Sequence, residues 1–283
     1  MKILLSLVLL CVSIACEAQT FPMHCGRDTV KIEQIIHYLK EGDKSREEKI
    51  IEAANELRGA GFDDYYTSDS IGNLRINVDS FTPLMFINNV AALVKASERP
   101  GDPDWRSFAS EFENISCRRG EFNGFPSIMY HSSDWIGDNI SRGNIKELTE
   151  NYAGVVVRTK SLDEMTRKRE NFAALTDSAV FENARMVEMG FRTHRIPTLK
   201  KETVKKKEIN EDLRNGDIII LVPNRDGIDL YDIGFIEITN SNPYLIHLSP
   251  QTGTIVREKE ELSRYMSLMT KYFQGYRIIR LNE

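Results

Sequence analysis

The stretch Asn77-Val78-Asp79-Ser80-Phe81-Thr82-Pro83-Leu84-Met85-Phe86-Ile87-Asn88-Asn89-Val90-Ala91-Ala92-Leu93 decides how this chain is read. Its first residues are polar and extended in character. Thr82 then reads as a helix N-cap, and Pro83 takes the first helical position, where a fixed φ suits the helix and a missing N–H is no loss. The apolar helix so begun continues to about residue 97, and Glu98-Arg99-Pro100-Gly101-Asp102-Pro103 ends it.

Toward the N-terminus, apolar positions recur at helical spacing over 30–39 and stop at Glu41-Gly42-Asp43. Ser45-Arg46-Glu47-Glu48 is a capping box that opens a second helix ending near Gly59, so the two form a helical hairpin. Residues 65–77 are a polar, extended approach to the Pro83 helix. Toward the C-terminus, an amphipathic pattern over 105–115 is followed by the loop 118–126. The segment 129–139, dense in aromatic and polar side chains, suits a cleft wall better than a core. One or two helices are expected over 162–191, and the lysine-rich run 200–207 reads as solvated surface. Beyond it, 217–222, 233–238, 244–248, 254–257 and 276–281 are short, β-branched and separated by turn residues, with one helix over 260–272. The expected class is α+β: a helical part over about 28–200, an antiparallel sheet over about 210–283, and the Pro83 helix packed on that sheet.

The first 18 residues carry a lysine, a near-continuous apolar run and small residues up to Ala18, the pattern of a secretory signal peptide. Cleavage after Ala18 is the reading adopted. Ser13-Ile14-Ala15-Cys16 also reads as a loose lipoprotein box with Cys16 as the lipidated residue. A secreted or periplasmic protein is expected, with residues 19–283 as one domain and no later stretch long and apolar enough to span a bilayer. The net charge of −5 argues against a nucleic-acid partner. Of four cysteines, Cys11 and Cys16 fall in the leader; Cys25 and Cys117 remain, as a disulfide or as two buried thiols. The five histidines include no His-x-x-x-His or His-Glu-x-x-His spacing. Asp232, His247 and His131 are conceivable ligands, but satisfied structural histidines are the expected state, and no metal or cofactor is assigned.

Together these blocks resemble the N-acetylmuramoyl-L-alanine amidase-like family of cell-wall hydrolases, papain-like cysteine enzymes of the NlpC type, over roughly residues 30–282. The family pattern Asn-x-x-x-Phe-Asp-Cys-x-Thr-Phe-x-Glu-x-Val is similar to the stretch from Asn77 to Val90. His-Tyr-x-x-Asp-Trp-x-x-Asn is similar to Tyr130-His131-Ser132-Ser133-Asp134-Trp135 followed by Asp138-Asn139. Gly-Asp-Ile stands at Gly216-Asp217-Ile218. Gly-Leu-Asp-Val-Ser-His-Val-Gly-Phe matches the segment from Gly227 to Phe235, and His-Ala-Ser matches His247-Leu248-Ser249.

In such hydrolases a cysteine at the helix start is activated by free N–H groups and the positive end of the helix dipole. Here the resemblance places Pro83 at the nucleophile and Asp232 at the general base, and only His247 stands at the third, orienting position. Tyr130, His131, Asp134 and Trp135 would then form a substrate wall. An orienting residue without base or nucleophile cannot run acyl transfer. Cys117 is a remote substitute, and the hydroxyls of Ser80, Thr82 and Ser249 lack an evident activating base. The resemblance therefore implies a papain-like pseudoenzyme that holds a peptidoglycan fragment or a protein partner. An active amidase cleaving the bond between the muramic lactyl group and L-alanine, and a scaffold with no ligand site, are the alternatives. Pro83, Asp232 and His247 are expected together at one end of a groove.

Overall fold

A computed structural model describes residues 27–64 and 74–282. The leader, Cys16, Cys25 and most of the extended approach read over 65–77 lie outside the described residues. The first helices are α1 (Arg27–Lys40) and α2 (Arg46–Glu56). The capping box at α2 is complete: Ser45 Oγ accepts from the Glu48 N–H at 3.2 Å and the Ser45 N–H donates to Glu48 Oε2 at 2.8 Å. Strands β1 (Gly61–Phe62) and β2 (Ser80–Phe81) pair in parallel and lead into α3 (Pro83–Ser97). There Thr82 Oγ1 accepts from the Met85 N–H at 3.3 Å, which makes it the N-cap. Every residue of α3 except Pro83 and Lys95 is buried. A helix apolar on all sides can only sit at the centre of a domain.

The chain continues through α4 (Trp105–Ser116), α5 (Ser132–Ser141), β3 (Ile145–Glu147), β4 (Val155–Lys160), α6 (Glu164–Arg167), α7 (Ser178–Met189), β5 (His194–Leu199) and α8 (Lys207–Asp212). It closes with β6 (Ile218–Pro223), β7 (Asp232–Thr239), β8 (Asn242–Leu248), β9 (Ile255–Arg257), α9 (Leu262–Leu268) and β10 (Phe273–Leu281). One eight-stranded sheet runs β4-β5-β10-β6-β7-β8-β9, with β3 also on β10, and all its pairings are antiparallel. The five C-terminal strands are those expected. The division into a helical part ending near 200 and a sheet starting near 210 does not hold, because β3, β4 and β5 join the same sheet. Strand β10 is nine residues long and half of it would otherwise present an unpaired edge; β3 pairs with Ile279, Arg280 and Leu281, and β5 meets it at Tyr276.

The sheet is covered on both faces. On one, Phe235 of β7 meets Phe86 of α3 edge-to-face at 5.7 Å, within a core that also holds Ile233 and Ile246. On the other, Leu262, Tyr265 and Met266 of α9 pack with Ile236 and Leu245. Alternation along β7 thus sends Ile233 and Phe235 to α3, and Asp232, Gly234 and Ile236 to α9. Among the described residues no helix is long and apolar enough to cross a membrane.

Candidate functional site

The N-terminus of α3, the N-terminus of α5 and the chain running into β7 meet around a cavity of about 240 Å³. Pro83, Leu84, Tyr130, His131, Asp229 and Tyr231 line it, as do Phe62, Asp64 and Arg225. Asp229 is almost fully buried and accepts from the Ser132 and Ser133 N–H groups at 3.0 and 2.5 Å. It therefore satisfies the first donors of α5 and sits at the favourable end of that helix's dipole. Burial alone would raise its pKa; the neighbouring His131 and the bonds from Ser133 outweigh that and hold it below the usual carboxylate range.

His131 is 2% exposed, and its Nε2 lies 2.9 Å from Glu188 Oε1. Glu188 also accepts from the Met165 N–H, the Thr166 N–H and the Thr166 hydroxyl at 3.0, 2.9 and 2.5 Å. Burial opposes its charge, but these bonds and the imidazole keep its pKa lowered. A carboxylate that only accepts requires His131 Nε2 to donate. Nδ1, the other ring nitrogen, has no hydrogen-bond partner and stands 4.0 Å from Asp229 Oδ1. A buried polar atom left unpaired carries a cost that a hydrogen-bond partner brought within reach would relieve.

Asp232 and His247 form a second cluster, fully buried and outside the lining of this cavity. His247 Nδ1 donates to both Asp232 oxygens at 2.8 and 2.9 Å, and Nε2 donates to Glu258 Oε1 at 2.8 Å. Burial would lower the imidazole pKa, but Asp232 and Glu258 overcome it and push it up to about 9. Asp232 also accepts from the Tyr265 hydroxyl at 2.5 Å and from the Ile233 N–H at 2.8 Å. A Cβ on Gly234 would come within 2.5 Å of the Ile246 carbonyl oxygen and 2.7 Å of His247 Cβ, so only glycine lets His247 lie against β7. Both Asp232 oxygens, both His247 ring nitrogens and the Tyr265 hydroxyl are thus engaged within this cluster.

The structure therefore joins Asp232 to His247 and leaves Pro83 on the cavity wall apart from them. The reason is the alternation of β7: with Ile233 facing α3, Asp232 faces α9. Of the four residues read as a wall, Tyr130 and His131 line the cavity. Trp135 does not. It is completely buried, with its Nε1–H donating to Asn88 Oδ1 at 2.8 Å. Asp134 is engaged in an ion pair with Arg118. His131, Asp232 and His247 do not converge as metal ligands, and among the described residues no group of three or more such side chains does. Ser80 Oγ accepts from Asn77 Nδ2 at 2.8 Å, Ser249 Oγ accepts from the Gln251 N–H at 3.3 Å, and Thr82 is the cap already described. Cys117 is buried, with its thiol pushed up to about 12 chiefly by burial. Glu188, Asp229 and Arg225 had no role in the sequence reading; Glu188 lies 57 positions from His131, and no local pattern links the two.

A central apolar helix, an antiparallel sheet and a cavity at the helix start define an α+β protein whose site is built on helix ends. Residues 65–271 match the family described as AmiA-like, N-acetylmuramoyl-L-alanine amidase-like, and the chain belongs to that family. Among proteins with curated descriptions none matches. Its fold is similar to that of an N-acetylmuramoyl-L-alanine amidase from Bacteroides uniformis, with 18% identity, TM-score 0.73, and coverage of 84% of this chain and 99% of that one. A Bacteroides fragilis protein provisionally named a xylanase is 23% identical with TM-score 0.71, covering 81% and 99%. A Legionella pneumophila protein is 15% identical with TM-score 0.69, covering 90% and 94%. At these identities the likeness concerns the fold alone.

Proposed function

We propose that this chain is a papain-like, NlpC-type pseudoenzyme that holds a muropeptide in the Pro83 cavity without cleaving it. The observation that carries this reading is the state of the helix start: Pro83 supplies neither a thiol nor an N–H, yet the wall beside it keeps a buried, unpaired His131 Nδ1. Covalent acyl transfer needs an activated nucleophile with a base in reach. Cys117, the one cysteine among the described residues, is buried and does not line the cavity. The reading of the apolar leader as a secretory signal supports a secreted or periplasmic location, where peptidoglycan fragments occur. A protein segment with a free N–H to offer His131 is the second class of occupant. Calorimetry with N-acetylmuramoyl-L-alanyl-D-isoglutamine tests the reading. Saturable binding that His131→Gln weakens is expected, whereas no heat from any muropeptide would leave the scaffold alternative standing.

A further inference from the structure

A separate cavity of about 630 Å³ lies beside the Pro83 pocket, over the segment that follows β4 and the turn 225–227. Arg225 borders both cavities. Residues 225–227 line the second and 228–231 the first, so a ligand passing Arg225 moves from one to the other within a few residues of chain.

The second cavity carries surplus positive charge. Glu164, 5% exposed, is met by three cations: Arg167 at 2.7 Å, Lys168 at 2.9 Å and Arg225 at 3.0 Å. Lys160 is a fourth and the most buried, at 4% exposure. Its ammonium donates to the backbone carbonyls of Arg225 and Ile228 at 2.5 and 3.4 Å, which leaves one of its three hydrogens for the cavity that it lines. Asp163 and Asp226 also face this space, so the lining itself sets four cations against two carboxylates, with Glu164 beneath three of the cations and Asp229 within electrostatic reach of Lys160. Gly227 has φ +88°, a conformation that favours glycine, and the Arg167 guanidinium lies over this turn. Exposed cations are screened by water, whereas the field of an ammonium in a less polar surround reaches an anion with less screening.

We propose that this cavity is an anion subsite, in which Lys160, Arg167 and Lys168 receive a carboxylate of a peptide ligand whose other end occupies the Pro83 pocket. The inference rests on the binding reading above and narrows it to acidic peptides. Calorimetry compares N-acetylmuramoyl-L-alanyl-D-glutamate with its diamide on the natural protein, Lys160→Met and Lys168→Gln, with thermal melts reporting folding. The free acid binds roughly tenfold more tightly than the diamide, and each folded variant removes most of that difference. Equal affinity of acid and diamide, or a preference that both variants keep, overturns the subsite. If neither compound binds, the muropeptide reading falls, and inorganic phosphate against chloride at matched ionic strength decides the subsite by itself. Phosphate binding that Lys168→Gln abolishes would then assign a free-anion site and overturn the peptide carboxylate; no phosphate binding would overturn the subsite altogether.

Discussion

The Pro83 cavity and the Asp232–His247 cluster differ in nearly every physical respect. The cavity is open, partly apolar, and keeps a buried ring nitrogen unpaired. In the cluster Asp232 and His247 are completely buried, and both carboxylate oxygens and both ring nitrogens are paired. The first has the character of a binding site and the second that of a structural ion pair. Strand alternation along β7 is what separates them: it turns Asp232 toward α9 and away from the start of α3.

The sharpest way to break this contrast is to remove one charge. Asp232→Ala leaves the His247 imidazolium against Glu258 alone in a buried site and is expected to destabilise the fold by about 3–5 kcal/mol in urea unfolding. A loss below about 1 kcal/mol would show that the cluster is not structural. The pH dependence is next in size. His247 has its pKa raised from 6.5 to about 9, so its contribution is fully present below pH 6.5 and is lost as pH rises through 9. This amounts to about 3 kcal/mol between those limits. His247→Gln should flatten unfolding curves measured across that window, and an unchanged slope would contradict the assignment. His131→Gln is expected to weaken muropeptide binding roughly tenfold while costing about 1–2 kcal/mol of stability, the reverse weighting of Asp232→Ala. Smallest of all, Pro83→Ala should change stability by less than about 1 kcal/mol, because alanine also suits a first helical turn.

What the sequence revealed was local in origin. The Ser45–Glu48 box and the Thr82 cap before Pro83 depend on neighbours within four residues, and both stand as read. The β-branched strands after residue 217 were equally plain. Strands β4 and β5 are not legible in the sequence, because the segments from Val155 to Lys160 and from His194 to Leu199 are partly exposed, carry charges, and in β5 a proline. They pair with each other, and only β5 reaches the rest of the sheet, at Tyr276 of β10 far along the chain. Trp135 looked like a ligand surface until Asn88, 47 positions away, supplied the acceptor that lets its indole be buried. Tyr130 and His131 were legible as wall residues; Glu188, which sets the orientation of His131, was not, since it arrives on a different helix.

Mass spectrometry of defined muropeptides after prolonged incubation with the purified natural protein tests the central claim most directly. The ligand is expected to return intact, at the rate of a no-protein control, even under conditions where calorimetry shows the site occupied. Release of the free peptide beginning at L-alanine, abolished by His131→Gln or by His247→Gln, would contradict the separation of binding from chemistry on which this account rests.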